Sequence, residues 1–596
     1  MTTRPSTAAS GSTKVDAKIY QAWPRRKLTC WLDVPPEVRV MIFTYLEPRE
    51  IIRSSRVSRA WHRMSYDGQL WSMLDTERLY QGIPEAALIA IIVAVGPFLR
   101  DLDLYDAQLS EHSDRGRVAE ACRNVQSLSL WRSTIDRNTI NSFLNSASSL
   151  VHIDLSGLEA ATNRAMSIIA TNCNKLQHLD ISWCGNINAL GLQGVVQACQ
   201  DLKIMRAGKV DGWGDVEVMQ QLFLHNSLEC LDLTDCNSLT NESLATLIEG
   251  NAGGINYSIG RPIAPPRKLK YLNLTGCRDI SDRGILALVN NIPEIKNLLL
   301  SGCRDIPDGP LTQLLPTTPV LAHLDVEELV LLTDAVLHSL SSSHCAGYLR
   351  RLNVTDCQNM GDIGMTTLVQ CCKGLRALSM DNTKVSDLTL IEAAAMVRQR
   401  NPRTVLTNSV RLPSQPTVGL SLTAHDCSEV TWRGVREILS HNIEVIDSTQ
   451  TAPLSRFESC PTCFPKRFSD INSSPSTSLE RLPLFSSTSP HTHDSAQHVY
   501  PTQLITIFKD SYIDEHTRRV LCCDVSAAQR LERRWIEFVM VQEEMEAWGG
   551  GRIFKRRKAR RAKMNLVEEM KSSIRTEVSV WKRLKARIAR LMLCCE

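Results

Sequence analysis

A chain of 596 residues with 43% hydrophobic content and a formal net charge of +4 has room for several domains and an ordinary globular composition. No apolar run reaches transmembrane length: Ala86 to Val95 spans about ten residues and meets Gly96-Pro97, the pattern of a buried helix and its stop. Twenty cysteines, behind a polar Met1 to Ser12 that does not read as a secretory signal, point to a reducing compartment, cytosol or nucleus, and not to a disulfide framework.

Residues 1–27 are expected to be disordered, and a helical unit is expected over 28–75. Val34, Pro35 and Pro36 force an extended approach, because each proline fixes its own φ and pushes the residue before it out of the α region. Glu37 then opens a helix on which Val38, Met41, Ile42, Tyr45 and Leu46 recur at three- and four-residue steps. That stripe is too wide for so short a segment to bury within itself. Pro48 is expected to stop this helix; Ile51, Ile52 and Val57 follow on a second turn, Trp61 lies four positions beyond Val57, and Leu70-Trp71 close the unit.

The blocks Val34-Pro35-Pro36-Glu37-Val38, Ile42-Phe43-Thr44-Tyr45-Leu46, Val57-Ser58-Arg59-Ala60-Trp61 and Leu70-Trp71 resemble, in order and spacing, the F-box motif. Val34 stands where that family usually has Leu, and Ser58 where it often has Cys. The resemblance implies that Leu32, Val34, Pro35, Pro36, Glu37, Val38, Ile42, Tyr45, Leu46 and Trp61 contact the Skp-type adaptor of cullin-based SCF ubiquitin ligases.

Over residues 97–447 the pattern Leu-x-x-Leu-x-Leu recurs, with first positions at Leu99, Val125, Leu150, Leu176, Leu202, Leu228, Leu269, Ile295, Leu321, Leu349 and Leu375 and a degenerate repeat near Gly419. The usual step is 26 residues. Two longer steps carry Gly/Pro-rich or Pro/Ser-rich inserts, such as Gly253-Gly254 through Pro265-Pro266, which belong in surface loops. Period and signature resemble leucine-rich repeats, about 12 of them. Cysteines eight positions after the first Leu, at Cys184, Cys236, Cys277, Cys303 and Cys357, resemble the cysteine-containing subtype of fungal-type F-box proteins. The expected fold is therefore α/β: a small all-helical F-box, then a repeat solenoid with parallel strands on the concave side and helices on the convex side. Each strand alternates inward apolar and outward polar residues, and no repeat can bury its inner face without a stacked neighbour.

Five positions after the cysteine stand Asn241, Asp282, Asp308 and Asp362, with Asp334 at the matching place of a repeat that lacks the cysteine. Each is expected to start its helix and cap that helix's first free amides. Equivalent cysteines on stacked strands are offset by about 4.8 Å in a nearly straight ladder and cannot converge tetrahedrally, so no metal is assigned to the array. No Ser-His-Asp order, phosphate-cradling glycine loop or paired-carboxylate motif stands out, so the array reads as a binding surface and not as an enzyme. No cofactor is assigned.

In this register the third, fifth and seventh positions point outward. The fifth positions include Asp103, Asp154, Asp180, Asp232 and Asp325, an acidic stripe whose mutual repulsion a cationic partner would relieve. The alternative is that Asp or Asn is simply common here, as Asn273 and Asn353 illustrate. Tyr105, Trp131, Arg206 and Arg351 break the stripe, and Trp183 lies one position outside it. Aromatic and Arg side chains most often carry interface energy, which makes these the candidate contacts for a protein substrate. Arg206 and Arg351 lie five or more repeats apart, so this face lacks the clustered cations that phosphate needs; a basic or neutral, phosphorylation-independent segment is expected to dock there.

Residues 448–500 read as a disordered linker, since Ser, Thr and Pro make up 14 of the 23 residues between Ser473 and Ser495. Cys460-Pro-Thr-Cys463 has zinc-knuckle spacing, with Cys522-Cys523 and His491 or His493 as completing candidates; an adjacent pair is an atypical second half, and no metal is assigned. Residues 501–596 read as a helical basic tail. Leu531, Trp535, Phe538, Val539 and Met545 share one helix face that ends at Gly549-Gly550-Gly551. Residues 552–596 hold 15 Lys/Arg against 4 Asp/Glu, so the rest of the chain is acidic. A solvated basic face, nuclear import, nucleic-acid contact and docking on an anionic membrane all remain open for this tail.

The resemblances together imply a substrate-recognition subunit of an SCF ubiquitin ligase, in cytosol or nucleus, with the adaptor and cullin core at one end and a substrate on the repeats. The rivals are a non-degradative F-box scaffold and a nucleic-acid or membrane tether acting through the tail.

Overall fold

The computed structural model describes residues 34–76, 85–109, 115–251, 255–256, 261–262, 265–400, 417–442, 503–508, 515–516, 518–519, 525–547 and 560–570. Leu32, Cys460, Cys463, His491, His493, Cys522, Cys523, the linker 448–500 and the last basic helix lie outside them. The chain divides into two compact units, residues 1–150 and 151–596.

In the first unit, Pro36–Phe43, Pro48–Ser54 and Arg59–Ser65 are helices. The prolines act differently from the sequence expectation. Pro36, not Glu37, opens the first helix, and Pro48 starts the second helix instead of stopping the first. Both sit in the first turn, where the missing N–H has no helical acceptor to lose and the fixed φ suits a helix. The Glu47 and Glu50 side chains close a reciprocal cap around Pro48, and the Ser58 hydroxyl accepts from the Trp61 amide.

Phe43 and Trp71 are 1% exposed, Phe43 packs against Trp61 with ring centroids 5.3 Å apart, and the Trp71 indole N–H donates to the Ser65 carbonyl at 2.6 Å. Residues 73–75, expected to finish the helical unit, instead form a strand that pairs in parallel with Asp101–Asp103, putting Leu74 level with Leu102. Asp101–Asp103 pairs in turn with Ser127–Ser129. Behind these strands run the helices Glu85–Val95, which buries Leu88, Ile91, Ile92 and Val95, and Arg137–Ser146.

In the second unit the strands of the main sheet, from His152–Asp154 to Gln503–Phe508, pair in parallel in chain order, each followed by a helix. The middle residue of each short strand, Ile153, Leu179, Met205, Leu231, Leu272, Leu298, Leu324, Leu352 and Leu378, is buried and level with its neighbour. Both long steps preserve the register: Leu272 pairs level with Leu231, and Leu422 with Leu378. The first insert carries its own two-residue antiparallel ladder, Ile255–Asn256 with Arg261–Pro262. The buried Arg267 guanidinium ties the insert's end to the carbonyls of Phe223 and Pro265.

The cysteines have a mechanical role. The thiols of Cys184, Cys236, Cys277, Cys303 and Cys357 donate to the carbonyls of Leu155, Ala207, Leu233, Leu274 and Val326, each in the preceding repeat, at 3.1 to 3.3 Å. Cys427 makes the same bond to Met380 in the degenerate repeat. A small, weakly donating, otherwise apolar group suits a buried site that offers a single acceptor.

Four of the five helix starters point the other way along the stack, which corrects their expected role; for the fifth, Asp282, the next repeat has Pro307 at the matching place, with no N–H to give. Asn241 accepts from the amides of Ser281 and Gly284, Asp308 from Thr333, Asp334 from Gly361 and Asp362 from Ser386. Each therefore caps the helix of the next repeat and not its own. As the first residue inside the helix, its side chain lies beyond its own turn's amides and reaches those alongside. Glycine at Gly284, Gly364 and Gly434 clears the way; a Cβ there would meet the neighbour's Oδ1 at 2.5 to 2.8 Å.

The segment read as a helical tail begins as a strand. Gln503–Phe508 pairs with Thr417–Thr423, and the buried Asn442 side chain holds Ile505 through both its N–H and its carbonyl, at 2.8 and 2.7 Å. This strand extends the sheet by one beyond Thr417–Thr423, with Ile505 and Ile507 buried. Helix Val525–Ala547 follows, with Leu531 buried and Trp535 against Trp432 at 3.9 Å between centroids; Trp535, Phe538 and Val539 are half-buried. Residues 560–570 are helical, and Arg519 joins them through Glu569 at 3.1 Å.

Candidate functional site

Two surfaces follow from this architecture. On the first helix Val40 and Phe43 face inward, while Val38, Met41 and Ile42 face solvent, as does Tyr45 in the turn just past the helix end. The outward three of the helix sit at i, i+3 and i+4, one continuous helical face. Tyr45 is 85% and Met41 59% exposed, with Val57 at 65% on the next helix boundary. Pro35, Pro36 and Glu37 are exposed beside this face, whereas Val34 and Leu46 are half-buried. Trp61 is also half-buried, with its ring against Phe43.

The second surface is the open face of the strands. In the first unit Asp103, Tyr105 and Trp131 come together: the Tyr105 and Trp131 rings lie 4.9 Å apart, the Arg132 guanidinium sits 5.8 Å from the Trp131 centroid, and Asp103 accepts from the Tyr105 amide. In the second unit the register aligns Asp154, Asp180, Arg206 and Asp232 on four successive strands. Arg206 approaches Asp180 at 3.8 Å and remains half exposed, a separation worth little in water. Asp325 stands two strands beyond Asn273, and exposed Arg351 lies level with His323, off the Asp row.

The Asp stripe has a backbone function that its sequence does not announce. Oδ1 of Asp154, Asp180, Asp232 and Asp325 accepts from the amide two residues on, at Ser156, Ser182, Thr234 and Glu327. Asn273 and Asn353 do the same for Thr275 and Thr355. Asp and Asn interchange here because each offers one short oxygen to a turning backbone. The stripe is thus first a turn device, and the second carboxylate oxygen of Asp232 is taken as well, by the Asn273 side-chain amide at 3.2 Å. Burial, and then the Asp154 charge, push the Asp180 carboxyl up despite opposing bonds from Ser182 and the pull of Arg206.

That turn ends in a left-handed corner at the eighth position of every repeat. Asp106, Arg132, Trp183, Lys209, Asp235, Glu328, Asp356, Asn382 and Asp426 all have φ between 52° and 64°, and Gly157, Gly276 and Gly302 have φ of 73° to 75°. Gly, Asp and Asn tolerate this region; Trp183 does not do so readily. Trp183 is 53% exposed, with the Lys209 ammonium 4.5 Å from its ring centroid. The recurrence of Gly, Asp and Asn at the eighth position was the sequence signal for this corner, and Trp183 stands on it, not merely beside a strand.

Burial pushes the thiols of Cys184, Cys236, Cys277, Cys303 and Cys357 up, that of Cys303 to about 12, so these remain thiols at neutral pH. Among the described residues no three His, Cys, Asp or Glu side chains come together as a metal site.

A parallel strand, a left-handed corner and a helix, recurring about every 26 residues on a buried leucine ladder, define a leucine-rich-repeat protein. Residues 172–196, 225–247, 266–289 and 348–369 match the leucine-rich-repeat family, and residues 31–77 match the F-box-like family. The chain thus joins an F-box-like module to leucine-rich repeats. It is 29% identical to F-box/LRR-repeat protein 5 of Bos taurus, over 23% of this chain and 29% of that protein, and so spans under a third of that relative. It is 24% identical to F-box protein SKIP1 of Arabidopsis thaliana, over 45% of this chain and 85% of that protein. Among solved structures it is similar to the Rad7 and Elc1 complex of yeast, at 16% identity and a TM-score of 0.44, over 68% of this chain and 91% of that one.

Proposed function

We propose that this chain is the substrate-recognition subunit of an SCF-type ubiquitin ligase. The observation that carries the reading is the apolar face Val38, Met41, Ile42 and Tyr45, presented to solvent by a module of the F-box-like family. Four large apolar side chains on one short helix and the turn after it have no reason to face water unless something covers them. A Skp-type adaptor, docked to the cullin core, covers them; the repeats then hold a protein for ubiquitin transfer and proteasomal degradation. The chain itself contributes binding and position, not chemistry.

The test is co-purification of the adaptor with the full chain and with a Met41→Asp/Ile42→Asp variant. Both positions are exposed, so the fold is retained while the face becomes charged. Loss of adaptor is expected. Full retention of adaptor by the folded variant refutes the reading, and partners that fail to accumulate under proteasome inhibition favour a scaffold.

A further inference from the structure

Trp131 leaves 43% of its surface to solvent on the open face of the first unit, with the Tyr105 ring 4.9 Å away. Both hold the seventh position of their repeats. The next five repeats have Ser156, Ser182, Gly208, Thr234 and Thr275 there, so this is the stretch of the array where the position is aromatic. The rows leading to the rings are set by three strands. Asp101 is level with exposed Met73 on one side and Ser127 on the other, and Asp103 is level with Asp75 and Ser129. Asp101 is equally particular to this end: the third position passes to His152, His178, Ile204, Cys230 and Tyr271 in the following repeats, none of them acidic.

The outward rows of this unit therefore join an exposed aromatic pair to carboxylates on two neighbouring strands, with no Lys or Arg at any described position of those rows. Arg100 and Arg132 stand at the second and eighth positions, outside the rows; Arg100 donates to the Asn124 carbonyl at 3.2 Å, and Arg132 lies 5.8 Å from the Trp131 centroid. In the second unit the Asp row is interrupted instead by Arg206, 3.8 Å from Asp180. Strand geometry puts Asp101 and Asp103 about 6.6 Å apart along their strand, and Asp75 about 4.8 Å to the side of Asp103.

We propose that the aromatic pair Tyr105 and Trp131 docks an extended segment of the bound protein that carries two arginines two residues apart and a large apolar residue two positions beyond them. Same-side residues of an extended chain recur at the spacing of the strand itself. Two guanidiniums thus reach Asp101 and Asp103 while the next same-side residue lies on the two rings. Arginine suits both halves of the face, since its planar fork pairs with a carboxylate and stacks on an aromatic ring. The rings alone would accept any apolar segment; the carboxylates choose among them, by repelling an acidic or phosphorylated one. The inference rests on the receptor reading and names the class of segment received.

The experiment follows the fluorescence anisotropy of a labelled peptide with the core Leu-Ser-Arg-Ser-Arg-Ser-Leu, which presents the pattern in either chain direction, on titration with the purified full chain. This peptide is expected to bind at least about tenfold more tightly than its version with Gln for both Arg, a preference that Asp101→Lys removes and Trp131→Ala reduces. Asp101→Lys should in turn favour the version with Glu for both Arg, a gain that loss of structure does not produce. Asp101 is half-buried and Trp131 exposed, and an unchanged thermal midpoint confirms that both variants fold. Equal affinity for the Arg and Gln peptides, or a preference indifferent to both variants, overturns the proposal. So does tighter binding when the central Ser is phosphorylated, and so does binding seen only after residues 571–596 are removed, which assigns the face to the chain's own basic end. Adaptor co-purification from the same preparations fails only if the receptor reading fails, which keeps the two outcomes separate.

Discussion

Asp362→Ala removes the link between two successive helices, and its effect falls mainly on the neighbour. The carboxylate accepts from the Ser386 amide at 2.9 Å, from the Ser386 hydroxyl and from the Thr389 hydroxyl at 2.7 Å, all at the start of helix Asp387–Arg400. Loss of an N-terminal cap costs about 1 kcal/mol, and two hydroxyl bonds to a half-exposed carboxylate add about as much again, for a total of about 2 to 3 kcal/mol. Asp362→Asn keeps an acceptor and is expected to cost about 1 kcal/mol. Burial raises the Asp362 carboxyl and the bonds from Ser386 and Thr389 lower it; the bonds prevail, and it titrates below the ordinary Asp range. A lowered folded pKa means stabilisation that is complete above the unfolded Asp pKa, about 4, and shrinks as the pH falls below it. The wild-type advantage over Asp362→Ala should therefore be flat near neutrality and decline below about pH 4. Urea unfolding measures the total, and hydrogen exchange resolved to peptides shows where it falls. A cost under about 0.5 kcal/mol, or lost protection confined to Asp362–Cys371, refutes the reasoning.

Leu272→Asp places an unpaired carboxylate in a fully buried position shared with both neighbours and should cost about 4 kcal/mol or more, with several repeats losing exchange protection together; loss confined to one repeat argues against coupling along the stack. The ladder thiols should resist iodoacetamide at pH 8 in the folded chain while exposed Cys371 reacts, which mass spectrometry reads directly. Trp183→Gly relieves a left-handed Trp and should raise stability by up to about 1 kcal/mol while weakening substrate capture; unchanged capture removes Trp183 from the contact surface. Burial holds His516 down at about 4, so the closing segment should lose stability as the pH falls from the ordinary His value, about 6.5, toward 4, an acid lability that His516→Phe should abolish.

The repeat register was legible in the sequence because inward leucines must recur wherever strands stack, and two inserts could not hide it. The outward apolar face of Val38, Met41, Ile42 and Tyr45 was legible for a related reason, that a stripe wider than its helix can bury must find cover elsewhere. The direction of a side chain's bond was not. Asp362 at a helix start reads as a self-cap, and only the stacked geometry shows it serving the next helix. Asp154 and Asp180 read as display because the amides they hold lie two residues on, at positions that also look outward. Gln503–Phe508 was taken into a helical tail because its strand pairing depends on a partner 80 or more residues away.

The cysteine and Asp ladders share a property that bears on how such a chain can change length. Both reach main-chain atoms of the adjoining repeat, carbonyls on one side and amides on the other, which a repeat offers whatever its side chains unless proline stands at the amide, as Pro307 does. A duplicated or excised unit therefore finds its bonding partners already in place at the new junction, and its surface residues are free to differ from the first copy on. Recognition can drift along the array while the joints stay generic.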